Sequence, residues 1–234
     1  MTETSARSRA RRFWREWLRP ILVVVLVLFS VRSAVADWND VPSGSMEPTL
    51  LVGDRIFVNR LAYDLKVPFT TVHLARWDDP ERGDVVVLLS PVDGTRLVKR
   101  VAAVPGDVVE VRGHRLRING APARYGPTDA SDRAEWMAEG IPAELVARET
   151  VAGRSHPVMA ESFDGPGSDL PARRVPPGMY FLLGDHRDVS YDSRFWGFAE
   201  RRAILGRVEG IAVSVDYDRY LAPRWQRFFT GLDQ

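Results

Sequence analysis

The chain has 234 residues, 45% of them hydrophobic, with no cysteine and a formal net charge of +1. That length carries one large or two small domains with an apolar core, and the missing thiols exclude disulfides and thiolate zinc sites. No global positive field marks nucleic acid as a partner. The charge is unevenly placed, however. Residues 1–20 hold six arginines (Arg7, Arg9, Arg11, Arg12, Arg15, Arg19) against Glu3 and Glu16, a net of +4, so the remainder carries −3.

This basic tail (residues 1–19) runs into the apolar stretch ILVVVLVLFSVRSAVADW. A membrane span needs about 20 residues, which Trp17 to Ala36 supplies if Arg19 and Arg32 extend to opposite faces; residues 20–36 are read as its transmembrane anchor. Arginines ahead of the span put the N-terminus in the cytoplasm and everything after it outside the plasma membrane. A short apolar run ending Ala34-Val35-Ala36 also describes a cleavable secretory signal. Both readings export residues 37–234.

Beyond the span comes PSGSMEPTL (42–50), two serines around a glycine in a turn-rich stretch. The eight residues Asp37 to Gly44 reach at most ~27 Å when extended, which tethers Ser45 close to the bilayer. The pattern then becomes β-rich. RIFVNRL (55–61), DVVVLL (84–89) and LVKRVAAV (97–104) read as strands, and Pro105-Gly106 offers a type II turn before DVVEV. HRLRI, Asn119-Gly120 and APARY form a strong hairpin signal. GMYFLLGD (178–185) and RVEGIAVSVD (207–216) complete the set. Many short strands with frequent turns predict a mainly β, antiparallel folded sheet or partly open barrel. Residues 121–177, rich in Pro, Gly, Asp and Ser with a helix predicted near Ser131 to Glu139, read as an inserted, less regular subdomain between the β-rich segments 37–120 and 178–234. The segment RYLAPRWQRFF (219–229) mixes aromatics with arginines and reads equally as a headgroup contact or a surface tail.

His73, His114, His156 and His186 lie far apart, with no H-E-x-x-H and no pair at helical spacing, so no metal and no cofactor is expected. Ser43, Ser45 and Lys99 remain. A serine hydroxyl needs a base beside it, and lysine serves only when burial strips its proton. Strand alternation puts Lys99 on one face with Leu97 and Val101, which favours burial; an edge lysine facing water fits the same alternation. In GDHRDVSYDSRFWGF (184–198), Asp185, Arg187, Asp188, Asp192 and Arg194 mix both signs within ten residues. Such a cluster either rigidifies a site wall or forms a solvated loop.

Taken together, these blocks resemble the bacterial type I signal peptidases (leader peptidases). PSGSMEPTLLVGD is similar to the family's serine box, RGDVVVL (82–88) to its next block, LVKRVAAVPGD (97–107) to its lysine box, and GDHRDVSYDSRFWGF to its last. The resemblance implies a membrane-bound serine endopeptidase that removes signal peptides from exported preproteins at Ala-x-Ala sites, working as a monomer against the lipid bilayer. It implies Ser45 as nucleophile, Lys99 as general base, and an oxyanion hole from Ser43 and the Ser45 amide. It also implies Ser190 bonded to the lysine amine, with Asp192–Arg194 and Asp185–Arg100 as braces. His186 departs from the pattern, which usually has asparagine there, and opens a serine–histidine alternative. Two further alternatives are a self-cleaving serine–lysine regulatory protease, which needs a cytoplasmic DNA-binding domain for which the N-terminal segment has no room, and a non-catalytic membrane-anchored β binding domain.

Overall fold

The structure is a computed structural model that describes residues 14–24, 36–67, 70, 72–163 and 169–232. Residues 14–24 are helical. Among the described residues, no helix is long and apolar enough to cross a membrane. Of the expected span 20–36, residues 25–35 lie outside the described residues, and Ala36 opens a strand instead of closing the span.

That strand, β1 (Ala36–Asp40), pairs antiparallel with β2 (Asp54–Asn59). In β2 burial alternates residue by residue, so Ile56 and Val58 enter the core while Arg55 and Phe57 face out. The hairpin of β3 (Asp64–Lys66) and β4 (His73–Arg76) stands apart from the main sheet. β5 (Val85–Leu89) is an unbroken apolar run because both of its faces are covered, Val85 and Val87 in one apolar cluster and Val86 and Leu88 in another, and β6 (Arg96–Ala103) pairs with it in full register.

The Pro105-Gly106 turn, with Gly106 at φ 93°, leads to β7 (Val108–Arg112) and β8 (Arg115–Ile118). Asn119 and Gly120, at φ 53° and 80°, turn β8 into β9 (Ala121–Pro122), as an Asn-Gly hairpin turn requires. Residues 121–177 are more regular than their composition suggests. They continue through β10 (Arg124–Gly126), helix α1 (Ala130–Ala138), β11 (Val146–Val151), β12 (Arg154–Met159) and β13 (Leu170–Arg174). β10, β11 and β12 make a three-stranded sheet, whereas β13 returns to pair with β7. The turn between β11 and β12 is Ala152-Gly153, both at positive φ, a signal that a Pro/Gly/Ser-rich reading passes over.

β14 (Met179–Leu183) pairs with β6, helix α2 (Ser193–Trp196) follows, and β15 (Ala199–Glu200) pairs back on β14. The thirteen-residue β16 (Ile204–Asp216) lies between β2 and β5 and also carries β17 (Ala222–Pro223) and β18 (Thr230–Gly231). The main sheet therefore runs β1-β2-β16-β5-β6-β14-β15, antiparallel throughout and curled as a half-barrel. Val41, Met46, Leu50, Ile56, Val87 and Val208 share one apolar cluster inside the curl.

Candidate active site

Ser45 sits in the connection between β1 and β2. Ser43 is extended, and Gly44–Met46 form one tight 3-10 turn. Met46 and Leu50 are buried in the cluster inside the curl, and Leu50 N–H donates to the Met46 carbonyl at 2.9 Å, so the loop is pinned on both sides of Pro48. From beneath, the Arg227 guanidinium donates to the Thr49 carbonyl at 3.0 Å and to Asp54 at 2.7 Å. Asp54 accepts the Leu51 N–H at 2.8 Å as well. The C-terminal aromatics behave differently from this buried arginine: Trp225 and Phe229 are 69% and 82% exposed. The Ser43 hydroxyl takes no part in capping the turn.

Lys99 is 2% exposed, and its Nζ lies 2.7 Å from Ser45 Oγ. Its strand neighbours Leu97 and Val101 pack in one apolar cluster, so the alternation read from the sequence is the arrangement found. Burial pushes the amine down to about 8; the charges of Asp192 and Asp185 oppose this and Arg194 adds to it. The pair opens onto a cleft of about 450 Å³ whose walls include Val41, Val87, Leu97, Val98, Val189 and Tyr191. At the start of β6, Arg96 Nη1 reaches over to Asp37 at 3.3 Å and Asn39 at 2.9 Å on β1.

The third component is the loop after β14. Asp185 receives Arg100 Nε and Nη2 at 2.8 and 2.7 Å, and Thr49 Oγ1 at 2.5 Å. Burial alone would raise this carboxyl, but the charge and hydrogen bonds of Arg100 hold it below the usual range. Asp192 caps α2, receives Arg194 Nε at 2.8 Å and Nη2 at 2.9 Å, and accepts the Gly184 N–H at 3.0 Å. Both expected ion pairs are therefore formed and buried. The expected bond from Ser190 to the lysine amine is not formed. Ser190 Oγ is buried with no hydrogen-bond partner, packed where a side chain on Gly184 would project. His186 uses its backbone N–H to hold the Ser45 carbonyl at 3.2 Å, while its imidazole faces Glu47 at 3.6 Å. Ser45 Oγ thus has the amine, and not the imidazole, as its hydrogen-bond partner.

Gly184 is required by space. A Cβ there would lie 2.2 Å from Ser190 Oγ and 2.4 Å from the Ser45 carbonyl oxygen, which is backbone and cannot swing aside. Gly184→Ala is expected to lower stability by about 1–3 kcal/mol, the usual cost of overpacking, read as a reduced urea midpoint with an unchanged slope.

Beneath the loop lies a cluster that sequence reading does not reach. Arg187 Nη2 donates to Glu149 at 2.7 Å, His156 lies 3.3 Å from the same carboxylate, and the Tyr125 hydroxyl also donates to it. Glu149 and His156 come from β11 and β12. The one local sign of Glu149 is that Ala147 and Val151, its neighbours on the same strand face, are apolar, which singles out no partner.

A family model described as signal peptidase, peptidase S26, matches residues 14–213. Signal peptidase I of Pseudomonas fluorescens is 37% identical over 179 residues, which is 76% of this chain and 60% of that protein. Signal peptidase I of Haemophilus influenzae is 30% identical over 264 residues, covering 93% of this chain and 75% of that one. A crystal structure of a signal peptidase I from Enterococcus faecalis V583 is 28% identical with a TM-score of 0.33, covering 56% of this chain and 97% of that one.

Proposed function

The chain belongs to the signal peptidase family, peptidase S26, and from this premise we propose that it is a membrane-anchored serine endopeptidase that removes signal peptides from exported preproteins at Ala-x-Ala sites. The observation that carries this reading is the 2.7 Å approach of a buried lysine amine to Ser45 Oγ. In water an ammonium holds its proton to about pH 10.4. Stripped of solvent, Lys99 releases it near neutrality, and the free amine accepts the hydroxyl proton.

The proposed reaction runs through an acyl-enzyme. A preprotein presents an extended segment, which lies in the cleft and adds to the free edge of β1. The apolar walls take small side chains and exclude large ones by clash. Ser45 Oγ attacks the carbonyl of the last alanine while Lys99 takes the proton. The Ser43 hydroxyl and the Ser45 amide receive the oxyanion, donors of a kind whose loss typically costs ~10²–10³ in rate. Lys99 then protonates the departing amine, leaving an acyl-enzyme. Water, deprotonated by the same amine, hydrolyses it and frees Ser45. Ser190, buried with its hydroxyl unengaged, orients the amine once Lys99 leaves Ser45 during this cycle.

The stretch ahead of β1, residues 20–35, anchors the chain in the plasma membrane, with residues 1–19 inside and the β-domain outside, working as a monomer. The substrate's cleavage site is confined to the same thin layer as Ser45, which raises its effective concentration without any added contact. The inserted stretch 121–177 and the segments 37–120 and 178–234 form the exported body.

The direct test is incubation of purified protein with one preprotein and sequencing of the new N-terminus. A product beginning after Ala-x-Ala supports the reading. An intact preprotein, with Ser45 unlabelled by a serine-directed acylating inhibitor, points instead to a non-catalytic binding domain. The dependence on pH is a second expectation. Because the working form of Lys99 is the neutral one and its pKa is lowered to about 8, kcat/KM should rise with pH through that region and level off well below the free-lysine value. A limb still climbing near 10.4 would mean a solvated amine.

A further inference from the structure

The loop 184–187 touches both members of the dyad. On one side the His186 N–H holds the Ser45 carbonyl at 3.2 Å. On the other, Asp185 clamps Arg100, the residue next to Lys99 on β6, through two hydrogen bonds. Whatever fixes this loop therefore fixes the distance between nucleophile and base.

Asp192 on the Gly184 N–H and Arg194 on the Arg187 carbonyl, at 3.0 and 2.7 Å, hold it from its own segment, and residues 121–177 hold it at two further points. Met159, at the end of β12, brackets His186: its N–H donates to the Asp185 carbonyl at 2.9 Å and its carbonyl accepts the Arg187 N–H at 2.8 Å. The Arg187 side chain then turns back under the loop, donating to the Gly184 carbonyl at 3.2 Å and the His114 carbonyl at 3.0 Å. Its remaining fork meets Glu149 on β11 at 2.7 Å. Arg187 and Glu149 are 3% and 1% exposed. An arginine buried so completely holds this folded-back shape only while its counter-charge is in place. Burial alone would raise the Glu149 carboxyl, yet Arg187 and His156 hold it well below the usual range, so it is an anion at neutral pH. Burial lowers the His156 imidazole, with Arg100 adding to the effect, so the ring is neutral and Arg187 is the cation that faces Glu149. The charged and titratable groups facing Glu149 are Arg187, His156 and Tyr125; those facing Lys99 are Asp192, Asp185 and Arg194.

We propose that Glu149 is a positioning residue for the reaction: through Arg187 it holds the loop that sets Ser45 against Lys99, and this is what the strands inserted after β10 contribute to catalysis. The inference rests on the serine–lysine reading above. It separates Glu149 from an ordinary stabilising ion pair by what should change when its charge is removed. A loosened loop moves Ser45 from Lys99 and lets water reach the amine. The first effect lowers kcat and leaves substrate binding in the cleft alone; the second moves the ascending pH limb upward.

The test compares wild type with Glu149→Gln, which keeps the shape and removes the charge, and with Glu149→Met/Arg187→Met, which removes both charges and fills the space with apolar atoms. Urea unfolding establishes that each variant is folded. The readouts are kcat, KM and the pH profile for one preprotein in detergent. The expected result is a kcat lower by ~10², the scale of an ångström-sized misplacement, with KM unchanged and the pH limb displaced upward, in both variants; Glu149→Asp should recover part of the loss. A folded Glu149→Gln or double variant with wild-type kcat and an unmoved pH limb overturns the proposal. So does failure of both variants to fold, which assigns the pair to stability alone. If wild type does not cleave the preprotein at all, the serine–lysine reading fails and this proposal falls with it, an outcome distinct from wild-type activity that Glu149→Gln merely matches.

Discussion

Lys99→Ala is expected to lower preprotein cleavage by ~10⁴-fold or more, and Ser45→Ala to do the same, on the scale found when one member of a cooperating nucleophile–base set is removed. The physical reason is that each is useless alone. Without the amine, Ser45 Oγ keeps its proton; without the hydroxyl, Lys99 has nothing to activate. The losses should therefore not add, and the double variant should be no worse than either single one. Lys99→Arg should not rescue, because a guanidinium keeps its charge at any accessible pH and has no lone pair to accept a proton. His186→Ala should retain most activity. The backbone N–H that holds the Ser45 carbonyl survives the substitution, and the lost imidazole faces Glu47. Initial rates with one preprotein decide the matter. Near-normal cleavage by Lys99→Ala with an inert His186→Ala would transfer the role of base to the imidazole.

The largest effect on stability is expected from Asp185→Ala. Asp185 and the Arg100 guanidinium are 1% and 4% exposed and share two hydrogen bonds. Removing the carboxylate strands a buried cation, a change that typically costs about 3–5 kcal/mol, against a total stability on the order of 5–15 kcal/mol. Urea unfolding should show the loss, and replacing both partners by apolar residues should recover much of it, since the pair itself is nearly balanced by its desolvation. The pH dependence has a definite sign. The Asp185 carboxyl is held below the usual range in the folded chain. Its contribution is therefore complete above the ordinary carboxylate value of about 3.9 and fades as pH falls through the lowered one. Asp185→Ala should lose that part of the acid limb. An unchanged midpoint would mean that Arg100 finds a replacement partner, for which Thr49 and the Gly83 carbonyl are the neighbours available.

Much of this was legible without coordinates because the signals are local. Alternation in RIFVNRL, the apolar run DVVVLL and the Asn119-Gly120 turn each act within a few residues, and β2, β5 and the β8–β9 turn lie where those signals put them. Lys99 was marked by its company, Leu97 and Val101 two residues away on either side. β1 was hidden because Ala36–Asp40 follows directly on an apolar stretch and reads as its end. β11 and β12 were hidden by a composition dominated by charge and small residues, although Ala152-Gly153 closes them as a hairpin. The pairs Arg187–Glu149 and Arg227–Asp54 could not be read at all. Each joins residues far apart in the chain, and a lone carboxylate in a strand carries no mark of which cation the fold will bring to it. Ser190 shows the opposite failing: a motif placed it beside the lysine, but a motif does not record which rotamer its hydroxyl adopts.

The clasp of Arg227 on Asp54 has a bearing on when the chain gains its chemistry. The two are 173 positions apart, and the guanidinium supports the Thr49 carbonyl only four residues from the nucleophile. Until residue 227 has docked, Asp54 lacks its guanidinium partner and the turn lacks its support from beneath. The turn that carries Ser45 is therefore complete only once the C-terminal segment has docked.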